Sequence, residues 1–296
     1  MTQRISYGPH LFPGDPESYI RVGGLGISVG EAHRHIQKTL VAAFSNGNPD
    51  SILSQISSRF GLKPDVPVEL AFMNYGNTQL VYLATLGKVK VAVLINQPHT
   101  PLGEVKEEFN NLGELVGTDP RFVVEPYAYF AVGKHELYVS WYIDKALCIV
   151  HNPDSNIHGF YDPSPFYHFE KFIPGTSQTV NSSIIALLVN YHEHGKGLAK
   201  TQISGNDFIL TRGFDQYKLD TILPNIRIIA ARGFIDASLN EYMDVLRQEF
   251  LIDTNRNDPY VVSGKLKVNH KSKVAMTKKE IEEGIELGLR LKKERK

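Results

Sequence analysis

The sequence predicts an α+β fold: a five-stranded antiparallel sheet interrupted by one helix, followed by a mainly helical second lobe. Three observations predict it. Between Val66 and Ile143, five runs rich in β-branched and aromatic residues alternate apolar with polar or small neighbours, as half-buried strands do. One stretch of helical spacing, Pro101–Val116, falls between the third and fourth runs. Past residue 150 the alternation stops, and loops rich in Pro, Asn and Gly separate longer stretches of helical periodicity.

The elements follow in order. Residues 1–65 read as a helical N-terminal extension. Ser28 with Glu31 makes a capping box that opens a helix to about Phe44, burying Ala32, Ile36, Leu40 and Val41. A second helix has Asn48 as N-cap and Pro49 at the first helical position, runs through Ile52, Leu53, Ile56 and Phe60, and stops at Gly61. Residues 66–150 form the sheet: strands Val66–Met73, Thr78–Leu86 and Lys88–Asn96, the helix Pro101–Val116, then Phe122–Val132 and Glu136–Ile143. Residues 151–260 form the mainly helical part, with helices at Asn181–Glu193 and from Ser238, which pairs with Glu241 in a capping box, to Phe250. Two short strands, Asp207–Thr211 and Ile226–Ala230, lie between them. Residues 261–296 make a basic appendage whose helix carries Ile281, Ile285 and Leu289 on one stripe. Gly284 and Gly288 interrupt it, each costing about 1 kcal/mol relative to alanine. Such a helix needs a surface to fold on, either its own body or another chain.

At 296 residues there is room for two domains or one large two-lobed one. Apolar content of 42% and charged content of 22% are ordinary for a globular protein. No apolar run approaches the roughly 18 residues of a membrane span. The start, Met1-Thr2-Gln3-Arg4-Ile5-Ser6, has no signal-peptide core, and a cytoplasmic location is the expectation. The single cysteine, Cys148, sits in the apolar run Ala146–Val150 and reads as a structural thiol rather than a nucleophile. Net charge is zero, yet Gly264–Lys296 holds eleven Lys or Arg against five Glu. That imbalance invites an acidic protein or a phosphate-bearing partner through the tail, ahead of nucleic acid. A solvated or self-docked tail is the plainer expectation.

Three antiparallel strands, a helix and two more strands resemble the small lobe of the protein-kinase-like superfamily, most closely its aminoglycoside-phosphotransferase-like branch. The resemblance covers about Val66 to Phe250 and implies a kinase-like two-lobed fold. It implies a lysine on the third strand paired with a glutamate on the following helix, holding nucleotide phosphates. In Val91-Ala92-Val93-Leu94-Ile95 the lysine position is Leu94. Lys88 and Lys90 lie at the start of the strand, and Glu107 or Glu108 would be the helix glutamate, so Lys90, Glu107 and Glu108 are the candidates for cofactor contact. The family's catalytic loop is matched by Gln202-Ile203-Ser204-Gly205-Asn206-Asp207. Gln202 stands at the aspartate position, where an amide can orient a substrate but not take its proton. Asp207 stands at the metal-binding asparagine position and could bind a hard cation such as magnesium. The metal-holding aspartate after the next strand is replaced within Ala230-Ala231-Arg232-Gly233, with Asp236 a few residues on. The resemblance thus implies a degenerate, pseudokinase-like form.

Other patterns carry less. Gly24, Gly26 and Gly30 after Tyr19–Val22 resemble a pyrophosphate-cradling turn, but that reading needs a parallel sheet, and a loop before a capped helix fits better. His192 and His194 are two apart, whereas zinc-binding pairs on a helix are usually four apart; His158 and His168 add no ligand spacing. Asn181-Ser182-Ser183 fits a glycosylation sequon. The aromatics between Phe160 and Phe172 could line a cleft or pack a loop. Three functions fit the whole. The favoured one is a non-catalytic kinase-like protein binding a ligand or protein partner. The second is an active ATP- and magnesium-dependent small-molecule phosphotransferase using Asp207, Asp215 or Asp236. The third is an adaptor acting through its basic tail.

Overall fold

The computed structural model describes residues 4–6, 19–22, 25–28, 36, 38–45, 49–63, 65–75, 78–98, 100–144, 146–148, 177–199, 202–203, 207–214, 218–250 and 278–294. Expectations for the loop at 151–165, the Phe160–Phe172 aromatics, His158, His168 and Asp215 lie outside them. The chain divides into two compact units. The first takes its described residues from Met1–Asn110 and Glu125–Tyr142; the second takes Asn111–Val124 and most of the chain beyond Ile143. The described residues of the first sixty-five fall in the first unit.

The first unit is built on a six-stranded sheet of order β1-β4-β5-β6-β8-β7. Its strands are β1 (Arg4–Ser6), β4 (Val68–Tyr75), β5 (Gln79–Leu86), β6 (Val89–Asn96), β7 (Pro126–Val132) and β8 (His135–Trp141). The five strands from β4 to β8 are antiparallel as expected, and β1 adds a parallel edge with Ile5 opposite Leu70. Strands β2 (Tyr19–Val22) and β3 (Leu25–Ser28) form a separate antiparallel hairpin.

The wholly helical N-terminal extension is thereby corrected, and so is the glycine-rich turn leading into a helix. Gly26 lies within a strand opposite Arg21, whereas the pyrophosphate-cradling reading puts it in the turn; Gly24 and Gly30 lie outside the described residues. A three-residue strand and a short ribbon carry too few residues to show a period in the sequence.

Residues 38–43 are helical, and Ile36, Leu40, Ala43 and Phe44 are buried. Val41, expected inside, is exposed, while its neighbour Thr39 turns inward. Helix α1 (Ile52–Phe60) begins later than Asn48 and Pro49 suggest. Ser51 is its N-cap, its hydroxyl accepting from the Ser54 amide at 3.2 Å. Gly61 ends the helix at φ 63°, where the absence of a Cβ removes the left-handed penalty. Ile36, Leu40, Phe44, Ile52, Leu53 and Ile56 pack with Leu70, Phe72, Leu80, Tyr82, Val91, Val93, Leu137 and Val139 as one core. That core uses one face of the sheet, because side chains alternate along each strand.

Helix α2 (Glu104–Thr118) follows β6. It starts three residues later than Pro101 suggests, because the Thr100 hydroxyl donates to the Thr78 carbonyl instead of capping the helix.

The second unit is mainly helical, as expected, with α3 (Ser177–Glu193), α4 (Leu219–Ile222), α5 (Leu239–Phe250) and α6 (Lys278–Lys293). Its short strands β9 (Leu147–Cys148), β10 (Phe208–Leu210) and β11 (Ile226–Ile228) form an antiparallel sheet with β10 in the middle. The α3 residues Ile184, Ile185, Leu187, Leu188 and Tyr191 are fully buried. The capping box at α5 forms as read: the Ser238 amide donates to Glu241 Oε2 at 2.8 Å, and the Glu241 amide to Ser238 Oγ at 3.4 Å. No described helix is long and apolar enough to cross a membrane.

Helix α6 lies along α3, so its apolar stripe is used within its own unit. Between Lys278 and Glu294 five basic residues accompany five glutamates, so the helix is charge-balanced. The excess positive charge of the appendage belongs to Lys265, Lys267, Lys271, Lys273, Arg295 and Lys296, outside the described residues.

Replacing Ser51 by alanine is expected to remove about 1 kcal/mol of stability through loss of the α1 cap. Chemical denaturation with an unchanged m-value checks it; an unchanged midpoint would assign the start of α1 to packing alone.

Candidate functional site

In the first unit, the sheet face opposite the core carries the positions where the kinase-like resemblance places its chemistry. Lys90, Ala92, Leu94 and Asn96 alternate with the buried Val91, Val93 and Ile95. Leu94 pairs with Tyr138 of β8, and Asn96 is the next residue on that face. Side chains directly opposite on neighbouring strands lie within contact reach. Glu108 of α2 comes down onto this face and is buried, its Oε1 accepting from the Tyr138 hydroxyl at 2.6 Å. Glu107, one residue earlier, is exposed. Of the two helix glutamates, Glu108 is the inward one, and a phenol from β8 donates to it.

The lysine candidates stand elsewhere. Lys88 is exposed in the β5–β6 turn. Lys90 shares the face of Leu94 but is exposed and four residues away, about 13 Å along an extended strand.

A second buried carboxylate adjoins the first. Glu136 Oε1 accepts from the Tyr129 hydroxyl at 2.6 Å, and its Oε2 accepts from the Gly103 amide at 2.7 Å. Gly103 immediately precedes α2, so Glu136 adds a carboxylate at the positive end of the helix dipole beside Glu104 and Glu107 of the first turn. Asn96 completes the arrangement, its Oδ1 accepting from the Glu136 amide at 2.8 Å and its Nδ2 donating to the Lys134 carbonyl at 3.1 Å. The Phe109 ring lies 5.8 Å from that of Tyr129 and 6.1 Å from that of Tyr138. Burial, with the hydrogen bond to Glu136, pushes the Tyr129 phenol far above its ordinary value, so it stays a donor at physiological pH. Both carboxylates are thus committed to holding α2 on the sheet. Toward β4 and β5 the same face opens: Ala71, Val81, Leu83, Thr85, Ala92 and Leu94 are half-exposed.

The other candidates lie in the second unit. Gln202 is half-buried, its amide bonded to the Ala199 carbonyl at 3.0 Å. Asp207 directly precedes β10 and is half-buried, and its carbonyl accepts from the Ile229 amide at 2.9 Å. The β10–β11 hairpin therefore brings Asp207 beside Ile229 and Ala230, where the resemblance expects a second metal-binding carboxylate and the chain has alanine. Asp236 lies elsewhere in the second unit's backbone pairing. It is exposed and follows Ile235, whose amide donates to the Gly197 carbonyl at 2.7 Å, so its segment runs to the end of α3. No group of three or more metal-ligating side chains occurs among the described residues.

His192 belongs to packing. Its ring stacks on Tyr242 at 4.2 Å, and a Cβ at Gly197 would stand 2.7 Å from its Nδ1. Burial lowers its pKa, so the neutral ring is the one the fold accommodates. The sequon at Asn181-Ser182-Ser183 is buried on α3. Cys148 lies in β9 with its backbone paired to Ile209. The Tyr138–Glu108 and Tyr129–Glu136 pairs went unread in the sequence; their only signal was the presence of Tyr and Glu on alternating positions of two strands and a helix.

No family model matches the chain, and no curated protein does. Among solved structures, the chain is similar to one described as the crystal structure of the BubR1 kinase domain, with 14% identity and a TM-score of 0.40. The match covers 57% of this chain and 48% of that one, so the chain spans about half of that kinase domain. A likeness of that size carries nothing about activity.

Tyr138→Phe leaves a buried carboxylate oxygen without its phenol donor, and a loss of roughly 1–3 kcal/mol is expected. Urea denaturation measures it, and a loss near zero would show that Glu108 does not depend on Tyr138. For His192 the sign is set by its lowered pKa. Stability is full above the ordinary histidine value of about 6.5 and falls as pH drops below it, because the unfolded chain protonates first. Comparing denaturation midpoints at about pH 7.5 and 5.5, this component of the acid loss is expected to be smaller in His192→Phe. An equal loss in both proteins would remove His192 as a source.

Proposed function

We propose that the chain is a non-catalytic kinase-like protein that binds a ligand or a protein partner. The observation that carries this reading is the Tyr138–Glu108 hydrogen bond beside Leu94. Phosphoryl transfer on this architecture relies on a lysine–glutamate pair and metal-held phosphates. Here the strand position is a leucine, the helix carboxylate is bonded to a phenol, and alanine follows β11 where a second carboxylate is needed. The half-exposed apolar face around Val81, Leu83, Ala92 and Leu94 supports binding, since ligand surfaces are mostly apolar with few polar groups.

The aminoglycoside-phosphotransferase-like branch is the form of the resemblance we keep, and one observation favours its active version. Asp207 presents a hard-cation ligand type at the start of β10, beside Ile229. An active enzyme would need its base and second metal ligand from residues other than Gln202 and Ala230.

Thermal-shift titration with ATP, with and without magnesium, separates the two. At one hundred times its dissociation constant a ligand of the folded state contributes about 2.7 kcal/mol. Wild type and Asp207→Ala are expected to show no magnesium-dependent shift at millimolar ATP. A magnesium-dependent shift that Asp207→Ala abolishes would overturn the non-catalytic reading.

A further inference from the structure

We propose that α6 is a detachable strap: it is helical only while docked on α3, and it opens without the rest of its unit unfolding. Among the described elements its packing partner is chiefly α3. The two helices approach closely because α6 has glycine at the contact. A Cβ at Gly284 would stand 2.5 Å from both the Ser182 carbonyl oxygen and Ile185 Cβ. A Cβ at Gly288 would meet the Ala186 carbonyl oxygen at 2.8 Å and Val189 Cβ at 2.9 Å. Gly284 and Gly288 therefore create the docked state and weaken the free one, since glycine disfavours an isolated helix and a helix of this length is marginal alone.

The seam itself is half polar. Ile281, Ile285 and Leu287 are buried, but so is Glu280, which is fully enclosed and accepts from Asn181 Nδ2 at 3.4 Å. The Ser182 hydroxyl donates to the Glu280 carbonyl at 3.0 Å and lies 3.3 Å from Glu283 Oε2. At the far end Lys292 pairs with Glu193. Polar groups at such a seam exchange protein partners for water on opening, so they contribute little net stability to the docked state and leave the apolar stripe to hold it. Opening uncovers the face of α3 that carries Ser182, Ile185, Ala186 and Val189, the residues against which the two glycines sit.

Native-state hydrogen exchange on the full chain tests this, with wild type and Gly284→Ala. Alanine strengthens the free helix but drives a Cβ into α3. In wild type, α6 amides are expected to exchange through an opening with weaker denaturant dependence than that of α3 amides. In Gly284→Ala, exchange in α6 is expected to rise at least tenfold while the most protected α3 amides keep their rates. Exchange of α6 and α3 together, with one denaturant dependence in wild type, would overturn the proposal and make α6 a permanent part of the core. The wild-type comparison decides the question even if the variant does not fold.

Discussion

The first unit depends on how α2 is held against the sheet, and two buried carboxylates hold it. Glu108 reaches down from the helix to Tyr138, and Glu136 reaches up from β8 to the Gly103 amide at the start of the helix. Burying a carboxylate is unfavourable unless its oxygens find donors, and each here takes a tyrosine hydroxyl at 2.6 Å. Charge-assisted hydrogen bonds of this kind are stronger than neutral ones and directional, so they select the rotation of α2 as well as its position. Phe109, between the two tyrosine rings, fills the apolar space beside them.

The same interactions bear on function. The helix carboxylate Glu108 takes a phenol from Tyr138, and the strand residue paired with Tyr138 is Leu94. The sequence resemblance to a kinase small lobe is one of element order, and Leu94 and Ala230 carry no charge at the two positions it singles out. Sites, not folds, carry function. What this face offers instead is half-exposed apolar surface.

In the second unit the glycines of the C-terminal helix invert their sequence-level meaning. Read along the chain, Gly284 and Gly288 weaken a helix. Read against α3, they are the positions where the two backbones meet, and any side chain would collide with Ser182, Ile185, Ala186 or Val189. The propensity penalty is local, and the gain from close approach exists only once α3 is in place.

Much of this was legible in the sequence. The five antiparallel strands, the helix between them, the Ser238–Glu241 capping box and the buried stripe of α3 follow from periodicity and capping, which are properties of neighbours in the chain. Leu94 and Glu108, singled out by the resemblance, both meet Tyr138 in the first unit. What the sequence could not supply is contact between distant segments. The pairing of Arg4–Ser6 with β4, the phenol donated by Tyr138 to Glu108, the capping of α2 by Glu136 and the stacking of His192 on Tyr242 all join residues remote in sequence. Local pattern determines which elements form and which face they bury. Only the assembled tertiary structure decides whether a buried Glu108 meets a lysine or a tyrosine, because that depends on which side chain the neighbouring strand presents at 2.6 Å.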